Sequence, residues 1–151
     1  MTSTIKKKVL VVEDELPLRQ ALVDVLEFAN FQVAEARNGE EGLALALKEQ
    51  PDIILLDIIM PVMDGFSMLK KLRASGDYGA KAPVVVLSNL SLYNEDLEGD
   101  LGATHPESYL LKTSWAIEDV VKKVESVLAS AAVYRIHYIV FLRGFSELWS
   151  S

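Results

Sequence analysis

Five short apolar runs, separated by longer stretches with helical periodicity, constrain the fold of this sequence most strongly. The runs are rich in Val, Ile and Leu, a composition typical of strands buried on both faces of a sheet. Between them, apolar side chains recur three and four residues apart, as on one face of a helix. The alternation predicts an α/β fold with a doubly wound, five-stranded parallel sheet. The predicted strands are Val9 to Val12, Gln32 to Ala36, Ile53 to Leu56, Val84 to Leu87 and Ser108 to Leu111.

Helices are predicted between these strands and after the last one. Pro17 suits the first turn of the first helix, and Asn38-Gly39 and Gly76 lie where the patterns break. The helical stripes run through Leu18 to Leu26, Leu43 to Leu47, Phe66 to Leu72 and Ile117 to Leu128, with a weaker, polar pattern from Leu92 to Leu101.

The last part of the sequence differs in character from the rest. We expect one domain over residues 1–130 and a C-terminal extension of unknown role over 131–151. An apolar run from Tyr138 to Leu142 lies in the extension between Arg135 and Arg143, and it is too short to span a bilayer. The extension is interpreted as a partner-binding helix, a strand-like extension or an artefact at the end of the sequence. With no catalytic or DNA-binding domain expected after residue 130, output would pass through protein contacts.

Composition narrows the function classes. The 151 residues carry a net charge of −7, which argues against direct nucleic-acid binding because phosphate contacts need a basic surface. There is no cysteine, so disulfides, zinc–thiolate sites and thiol nucleophiles are excluded. The N-terminus lacks the long apolar stretch of a signal peptide. We therefore expect a cytoplasmic protein with no membrane association.

Acidic residues directly follow two of the predicted strands. Glu13 and Asp14 follow the first strand, and Asp57 closes the third. In the strand order 2-1-3-4-5, these two strands flank the point where the order reverses, and ligands bind beyond the carboxyl ends of strands there. Clustered carboxylates repel one another and should bind a cation or shift their pKa values. Oxygen ligands without nearby His or Cys suit Mg²⁺, which would also let a carboxylate nucleophile approach an anionic phosphoryl donor.

Two further strand ends carry complementary groups. Ser88 ends the fourth strand and offers a hydroxyl to a phosphoryl oxygen, and Lys112 follows the fifth and offers a positive charge. Phosphoryl transfer depends mostly on positioning and on charge stabilisation. A nucleophile, a metal, a hydroxyl and an ammonium group form a plausible set for that chemistry.

These motifs resemble the response-regulator receiver domain of two-component signalling. The resemblance covers about residues 6–129. Its most specific part is LLDIIMPVMDG at residues 55–65, joined by VVED, VVVLS and SYLLK, each at a strand end. It implies a flavodoxin-like receiver fold of strand order 2-1-3-4-5, similar to stand-alone chemotaxis regulators.

The resemblance also implies roles for individual residues. Asp57 would be the phospho-acceptor, and Mg²⁺ would be held by Glu13, Asp14, Asp57 and the backbone carbonyl of Ile59. Ser88 and Lys112 would bind the phosphoryl group, with Ser88 and Tyr109 forming the switch pair. The metal and switch residues so implied are Glu13, Asp14, Asp57, Ile59, Ser88, Tyr109 and Lys112.

Partners are implied in the same way. The phosphoryl donor would be a histidine kinase or a phosphotransfer protein, and the output partner would be another, unknown protein. The output surface would comprise the predicted helix from Leu92 to Leu101, the fifth strand and the last helix. A homodimer through that surface or through the C-terminal extension is a further expectation.

Some positions depart from the family pattern. Lys112 is followed by Thr113 where the family usually has proline after a cis peptide bond, and a cis bond before a non-proline residue costs about 3 kcal/mol. Asn89 stands where a small residue is common. Ile59 and Leu90 are apolar at positions that influence water access, so we expect only slow self-dephosphorylation and no other enzymatic activity.

Two other functions are alternatives to the phosphoryl switch. One is an interaction module that keeps the fold without being phosphorylated, as Thr113 and the unusual extension would allow. The other is an enzyme of the same topology, but a dinucleotide oxidoreductase needs glycines after the first strand, where this chain has Glu13-Asp14-Glu15. An aspartyl phosphatase usually has a second Asp two residues after its nucleophile, and Ile59 holds that position here.

Overall fold

The computed structural model describes residues 5–88, 108–111 and 116–131, with side chains for 5–87 and 116–130. Five strands and five helices lie in these ranges. The strands are β1 (Lys8–Val12), β2 (Gln32–Ala36), β3 (Ile53–Asp57), β4 (Val84–Ser88) and β5 (Ser108–Leu111). The helices are α1 (Leu16–Phe28), α2 (Gly39–Glu49), α3 (Gly65–Arg73), α4 (Asp77–Lys81) and α5 (Ile117–Ala131).

All five strands form one parallel sheet in the order β2-β1-β3-β4-β5. This order confirms the predicted fold class. β1 lies between β2 and β3, so the strand order reverses beside it. The carboxyl ends of β1 and β3 therefore flank the crevice in which such sheets bind ligands.

Strands β1, β3 and β4 are buried on both faces, and successive residues along them alternate between two apolar clusters, whereas edge strand β2 is partly exposed. In β3, Ile54 and Leu56 belong to the cluster under α2 and α3, while Ile53 and Leu55 belong to the cluster under α1 and α5. We call these two sides of the sheet the α2–α3 face and the α1–α5 face. The double burial explains why β1, β3 and β4 appear in the sequence as nearly unbroken apolar runs.

Side chains and turns fix the helix starts. Proline lies in the first turn of α1, as predicted, while Asn38 and Asp64 cap α2 and α3 by accepting hydrogen bonds from the N–H groups of Glu41 and Ser67. Leu47, one of the apolar residues of the predicted second helix, is 41% exposed and lies off the buried face of α2. The five-residue helix α4 was not predicted, because it is too short to show a helical period.

Several predicted features lie outside the described residues. They include the helix from Leu92 to Leu101, the output surface that depends on it, and nearly all of the extension from residue 131. The domain boundary at residue 130 thus stays a prediction, as does homodimerisation. None of the helices in the described ranges has the length and apolar character needed to cross a membrane.

Candidate functional site

Three carboxylates meet at the carboxyl ends of β1 and β3. Val12 pairs with Leu56 in the sheet, so Glu13 and Asp57, the next residue of each segment, start from the same level. One carboxylate oxygen each from Glu13, Asp14 and Asp57 lies within 4.8 Å of the other two. The convergence predicted from the strand ends is therefore present.

Burial makes this cluster electrostatically demanding. Glu13 is fully buried, Asp57 is 4% exposed and Asp14 is partly buried. Asp57 Oδ1 accepts a hydrogen bond of 2.9 Å from the N–H of Ile58, and Glu13 Oε1 accepts one of 3.3 Å from the N–H of Glu15. Backbone donors offset only part of the repulsion among three carboxylates.

The donor set fits a hard divalent cation. All three candidate ligands are carboxylate oxygens, and the group contains no His or Cys. Mg²⁺ prefers such oxygen ligands and is usually bound through one or two carboxylates together with water and phosphate oxygens. Three oxygens that approach one another this closely match that preference better than they match zinc, which favours nitrogen and sulfur.

Glycine lets α3 approach the end of β3 closely. A Cβ atom built on Gly65 would lie 2.1 Å from the carbonyl oxygen of Asp57 and 2.9 Å from Cα of Ile58. The N–H of Gly65 also donates a 2.8 Å hydrogen bond to the Ile58 carbonyl. Any larger residue at this position would displace the backbone that carries Asp57.

The loop between β3 and α3 is held at a second point by α2. The N–H of Gly39 donates a 3.0 Å hydrogen bond to the Met63 carbonyl, and a Cβ on Gly39 would lie 2.5 Å from that oxygen. Within the loop, Met63 N–H bonds the Pro61 carbonyl at 2.8 Å around Val62, whose φ is 71°. This is a γ-turn with a β-branched residue in the left-handed region, a rare and strained arrangement.

The remaining predicted site residues are placed to different extents. Ile59 lies in the β3–α3 loop with its side chain 58% exposed. Ser88 is the last residue of β4 and pairs with Leu111 of β5, while Tyr109 is the second residue of β5. The side chains of Ser88 and Tyr109 lie outside the described part of the structure, as do Lys112, Thr113, Asn89 and Leu90.

Arg19 is a residue beside the site that the sequence interpretation missed. It is 6% exposed, its Nη1 donates a 2.9 Å hydrogen bond to the carbonyl of Glu13, and its Nε donates to Glu35 Oε1 at 3.2 Å. A signal was available, because Arg19 precedes the buried Leu22 and Leu26 by three and seven residues and thus shares their helix face.

Comparison with known proteins identifies the family. The family model described as the response regulator receiver domain matches residues 9–125, which is most of the chain. Among solved structures, the chemotaxis response regulator CheY4 of Vibrio cholerae superposes with a TM-score of 0.71 and 29% identity, covering 82% of this chain and 99% of that one.

Curated relatives are longer than this chain. A protein-glutamate methylesterase/protein-glutamine glutaminase of Archaeoglobus fulgidus is 36% identical over 146 residues, covering 91% of this chain and 41% of the relative. The DNA-binding dual master transcriptional regulator RpaA of Synechocystis is 32% identical over 122 residues, covering 80% and 48%. This chain thus spans about half the length of the curated relatives it matches. On the match to its family model and the fold described above, the chain belongs to the response regulator receiver domain family.

Proposed function

We propose that this chain is a phosphorylation-dependent switch in which Asp57 accepts a phosphoryl group. The observation that carries the proposal is the meeting of Asp57 with Glu13 and Asp14 at the point where the strand order reverses. A lone buried carboxylate would be costly, whereas a carboxylate held beside two others suits a cation and an anionic substrate.

In this proposal the three carboxylates share the binding of the metal ion, and Asp57 has a second role as the nucleophile. Glu13, Asp14 and Asp57 would hold Mg²⁺ together with the backbone carbonyl of Ile59, and the ion would neutralise charge between carboxylate and phosphoryl group. Asp57 supplies the attacking oxygen, which its hydrogen bond with the N–H of Ile58 helps to orient. The tight contact at Gly65 fixes the backbone of that nucleophile.

Ser88 and Lys112 complete the proposed site. We assign to Ser88 the hydroxyl that binds a phosphoryl oxygen and to Lys112 the ammonium that pairs with the bound group, with Ser88 and Tyr109 as the switch pair. The position of Ser88 supports its role, because Leu87 of β4 pairs with Asp57 and Ser88 follows directly. Phosphorylation would then bias two conformations that a partner distinguishes.

Donor, output and location form part of the same proposal. The donor is a histidine kinase or a phosphotransfer protein, and the chain works in the cytoplasm by contact with another protein. DNA binding and methylesterase activity belong to the longer relatives that carry those names, and we do not extend them to this chain. We propose that the chain is an acceptor and not an enzyme, apart from slow self-dephosphorylation.

Phosphorylation by a small donor tests the acceptor role. Incubation with Mg²⁺ and acetyl phosphate should add the mass of one phosphoryl group to the wild-type protein and none to Asp57→Asn. Asp24→Asn, which changes an exposed aspartate of α1, is the matched control and should be modified like the wild type. If wild type and Asp57→Asn behave alike, the chain is an interaction module that is not phosphorylated.

The lifetime of the modified protein tests the hydrolysis proposal. The apolar Ile59 side chain cannot orient an attacking water, so phospho-Asp57 should decay slowly after the donor is removed. Intact mass followed over time gives the rate. A lifetime of seconds would contradict slow self-dephosphorylation without affecting the acceptor role.

A further inference from the structure

Arg19 of α1 connects two other segments: the turn that carries Glu13 and Asp14, which we call the acidic turn, and the neighbouring strand β2. Its Nη1 donates a hydrogen bond of 2.9 Å to the carbonyl oxygen of Glu13, and its Nε donates one of 3.2 Å to Oε1 of Glu35 on β2. The guanidinium group is planar with donors in fixed directions, so one side chain can satisfy two acceptors on different elements. A lysine ammonium on a flexible stem cannot reproduce that bridge.

The bonds of Arg19 act on the backbone that carries two of the three carboxylates. Glu13 is held on the β2 side by the hydrogen bond from its N–H to the Ala36 carbonyl at 3.1 Å. Arg19 holds the other side of the same residue through its carbonyl, directly before Asp14. The start of the turn is therefore fixed at both its N–H and its carbonyl group.

The opposite side of the cluster is fixed independently. Asp57 is positioned by β3 and by the close contact of its carbonyl with Gly65. The distance between the Glu13–Asp14 turn and Asp57 thus depends on two separate anchors, and Arg19 belongs to the first. The affinity of the carboxylate cluster for Mg²⁺ depends strongly on that distance, because the ion requires nearly ideal octahedral geometry.

Burial of the charged Arg19 side chain also costs desolvation free energy. Its side chain is only 8% exposed, whereas the side chain of its partner Glu35 is half exposed. A buried guanidinium is stabilising only when its hydrogen-bonding geometry is good, and an apolar residue would otherwise serve as well in the core. The hydrogen bonds of Arg19 to the acidic turn and to β2 explain why a charged residue is buried here, since packing alone would not require one.

We propose that Arg19, supported by Glu35, is a positioning residue for the cation site: it holds the Glu13–Asp14 turn at the separation from Asp57 that Mg²⁺ binding needs. The inference rests on the proposed function, because it assumes that the carboxylate cluster binds Mg²⁺. Loss of outer partners that orient metal ligands typically weakens metal binding by about 10- to 100-fold.

Calorimetric titration of Mg²⁺ into the unphosphorylated protein tests this role. Arg19→Met should raise the Mg²⁺ Kd at least about tenfold, and Arg19→Lys should resemble it because the charge remains but the bridge is lost. Arg73→Met is the matched control, since the Arg73 guanidinium also donates to backbone carbonyls, those of Gly79 at 2.9 Å and Ala82 at 2.6 Å, but neither belongs to the Glu13–Asp14 turn. The Mg²⁺ Kd of Arg73→Met should stay within about twofold of the wild type, as expected for an independent site.

Urea unfolding in EDTA separates positioning from simple stabilisation. If Arg19→Met lowers the unfolding midpoint but leaves the Mg²⁺ Kd unchanged, Arg19 only stabilises the fold and the inference is overturned. Should Arg19→Met fail to fold, Glu35→Gln replaces it, because half-exposed Glu35 is dispensable for packing. That variant should weaken Mg²⁺ binding about threefold, the loss expected for a partly exposed ion pair, and an unchanged Kd would overturn the inference.

The wild-type titration distinguishes this inference from the proposed function. If the wild-type protein binds no Mg²⁺, the metal site of the proposed function and the role of Arg19 both fail. If the wild type binds Mg²⁺ and is phosphorylated at Asp57 while Arg19→Met retains the same Kd, only the role of Arg19 fails.

Discussion

The two faces of the sheet are built differently. On the α2–α3 face, the described helices contribute no buried charged side chain, and glycines bring backbone against backbone or side chain. On the α1–α5 face, α1 and α5 each bury a cation within an otherwise apolar cluster, Arg19 at 6% exposure and Lys123 at 0%. One face is therefore fixed by close steric contact and the other also by buried polar bonds.

This difference assigns each face a separate part of the site. The α2–α3 face positions the loop after Asp57, because Gly39 and Gly65 hold that loop at both ends. The α1–α5 face positions the acidic turn, because Arg19 of α1 bonds the Glu13 carbonyl. Steric contact tolerates little change, whereas polar anchors allow graded changes. Substitutions on the two faces should consequently differ in size and in their dependence on pH.

The largest effect is expected on the α2–α3 face from Gly65→Ala. Its new Cβ would meet the Asp57 carbonyl at 2.1 Å, a backbone atom that cannot rotate away. We expect a loss of at least about 3 kcal/mol in unfolding free energy, measured by urea denaturation. Gly42→Ala is the comparison, since its Cβ would meet only side-chain atoms, Met68 Sδ and both methyl carbons of Val12 at 2.9 Å, and should cost less, about 1–2 kcal/mol. Equal losses would contradict the claim that backbone contact sets this face.

On the α1–α5 face, Lys123→Met should increase stability at neutral pH. Burial lowers the pKa of Lys123 from 10.5 to about 8. The unfolded chain then binds more protons than the folded one between those values, so wild-type stability rises with pH across that window. The gain from Lys123→Met is full below pH 8 and shrinks toward pH 10.5. Its upper limit is about 3 kcal/mol.

Urea unfolding at several pH values checks this prediction against Lys122→Met. Lys122 is the exposed neighbour on α5, and its substitution should leave the pH profile unchanged. If Lys123→Met instead destabilises the protein at every pH, the interactions of the Lys123 side chain outweigh the cost of burying its charge. Both buried cations, Arg19 and Lys123, would then stabilise the α1–α5 face.

The fold could be predicted from the sequence because β1, β3 and β4 are buried on both sides, and their Val-, Ile- and Leu-rich runs leave little alternative. Each predicted strand agrees with the structure to within one residue at either end. The convergence of Glu13, Asp14 and Asp57 could be predicted from the strand order 2-1-3-4-5 that the family resemblance implies, because this order places the carboxyl ends of the first and third strands side by side. Helix α4 could not be predicted, because five residues carry no period.

The anchors of the site were harder to predict. Arg19 and Lys123 share the buried stripes of their helices, at the spacing of Leu22 and Val120, yet charged residues are normally assigned to solvent. The γ-turn at Val62 contradicts local preference, because a β-branched residue disfavours φ 71°. Such turns form only where surrounding contacts enforce them, here the hydrogen bonds that hold Met63 and Gly65.

A smaller effect is expected from Tyr78→Phe at the edge of the α2–α3 face. The Tyr78 hydroxyl donates a 2.8 Å hydrogen bond to the carbonyl of buried Pro51, and its loss should cost about 1 kcal/mol. Burial raises the pKa of Tyr78 above its ordinary 10.0. The folded state then holds the proton longer than the unfolded state, so the contribution is full below pH 10 and is lost above it.

Unfolding curves at pH values on both sides of 10.0 test the sign. Ser75→Ala provides the control, because its hydroxyl also bonds a carbonyl, that of Leu72 at 2.6 Å, but does not titrate. The cost of Tyr78→Phe should narrow at high pH while that of Ser75→Ala stays constant. A Tyr78→Phe cost that grows with pH would contradict the raised pKa of Tyr78 in the folded state.

The smallest effect is expected at the carboxylate cluster, from Asp14→Asn in the metal-free protein. Removing one of three neighbouring carboxylates relieves repulsion, and Asp14 is the most exposed of them. The metal-free protein should gain at most about 1 kcal/mol, because partial exposure keeps the effective dielectric high. Added salt should reduce the gain, since the screening length falls to about 10 Å at 0.1 M ionic strength.

Asp24→Asn on the exposed side of α1 should give no such salt-dependent gain. With Mg²⁺ present, Asp14→Asn should instead be less stable than the wild type, because the bound ion stabilises only a folded state that has the intact ligand set. A gain that persists in Mg²⁺ would mean that Asp14 is not a ligand. The ion would then be held by Glu13, Asp57 and the backbone carbonyl of Ile59, and Arg19 would act on the site through Glu13 and not through Asp14.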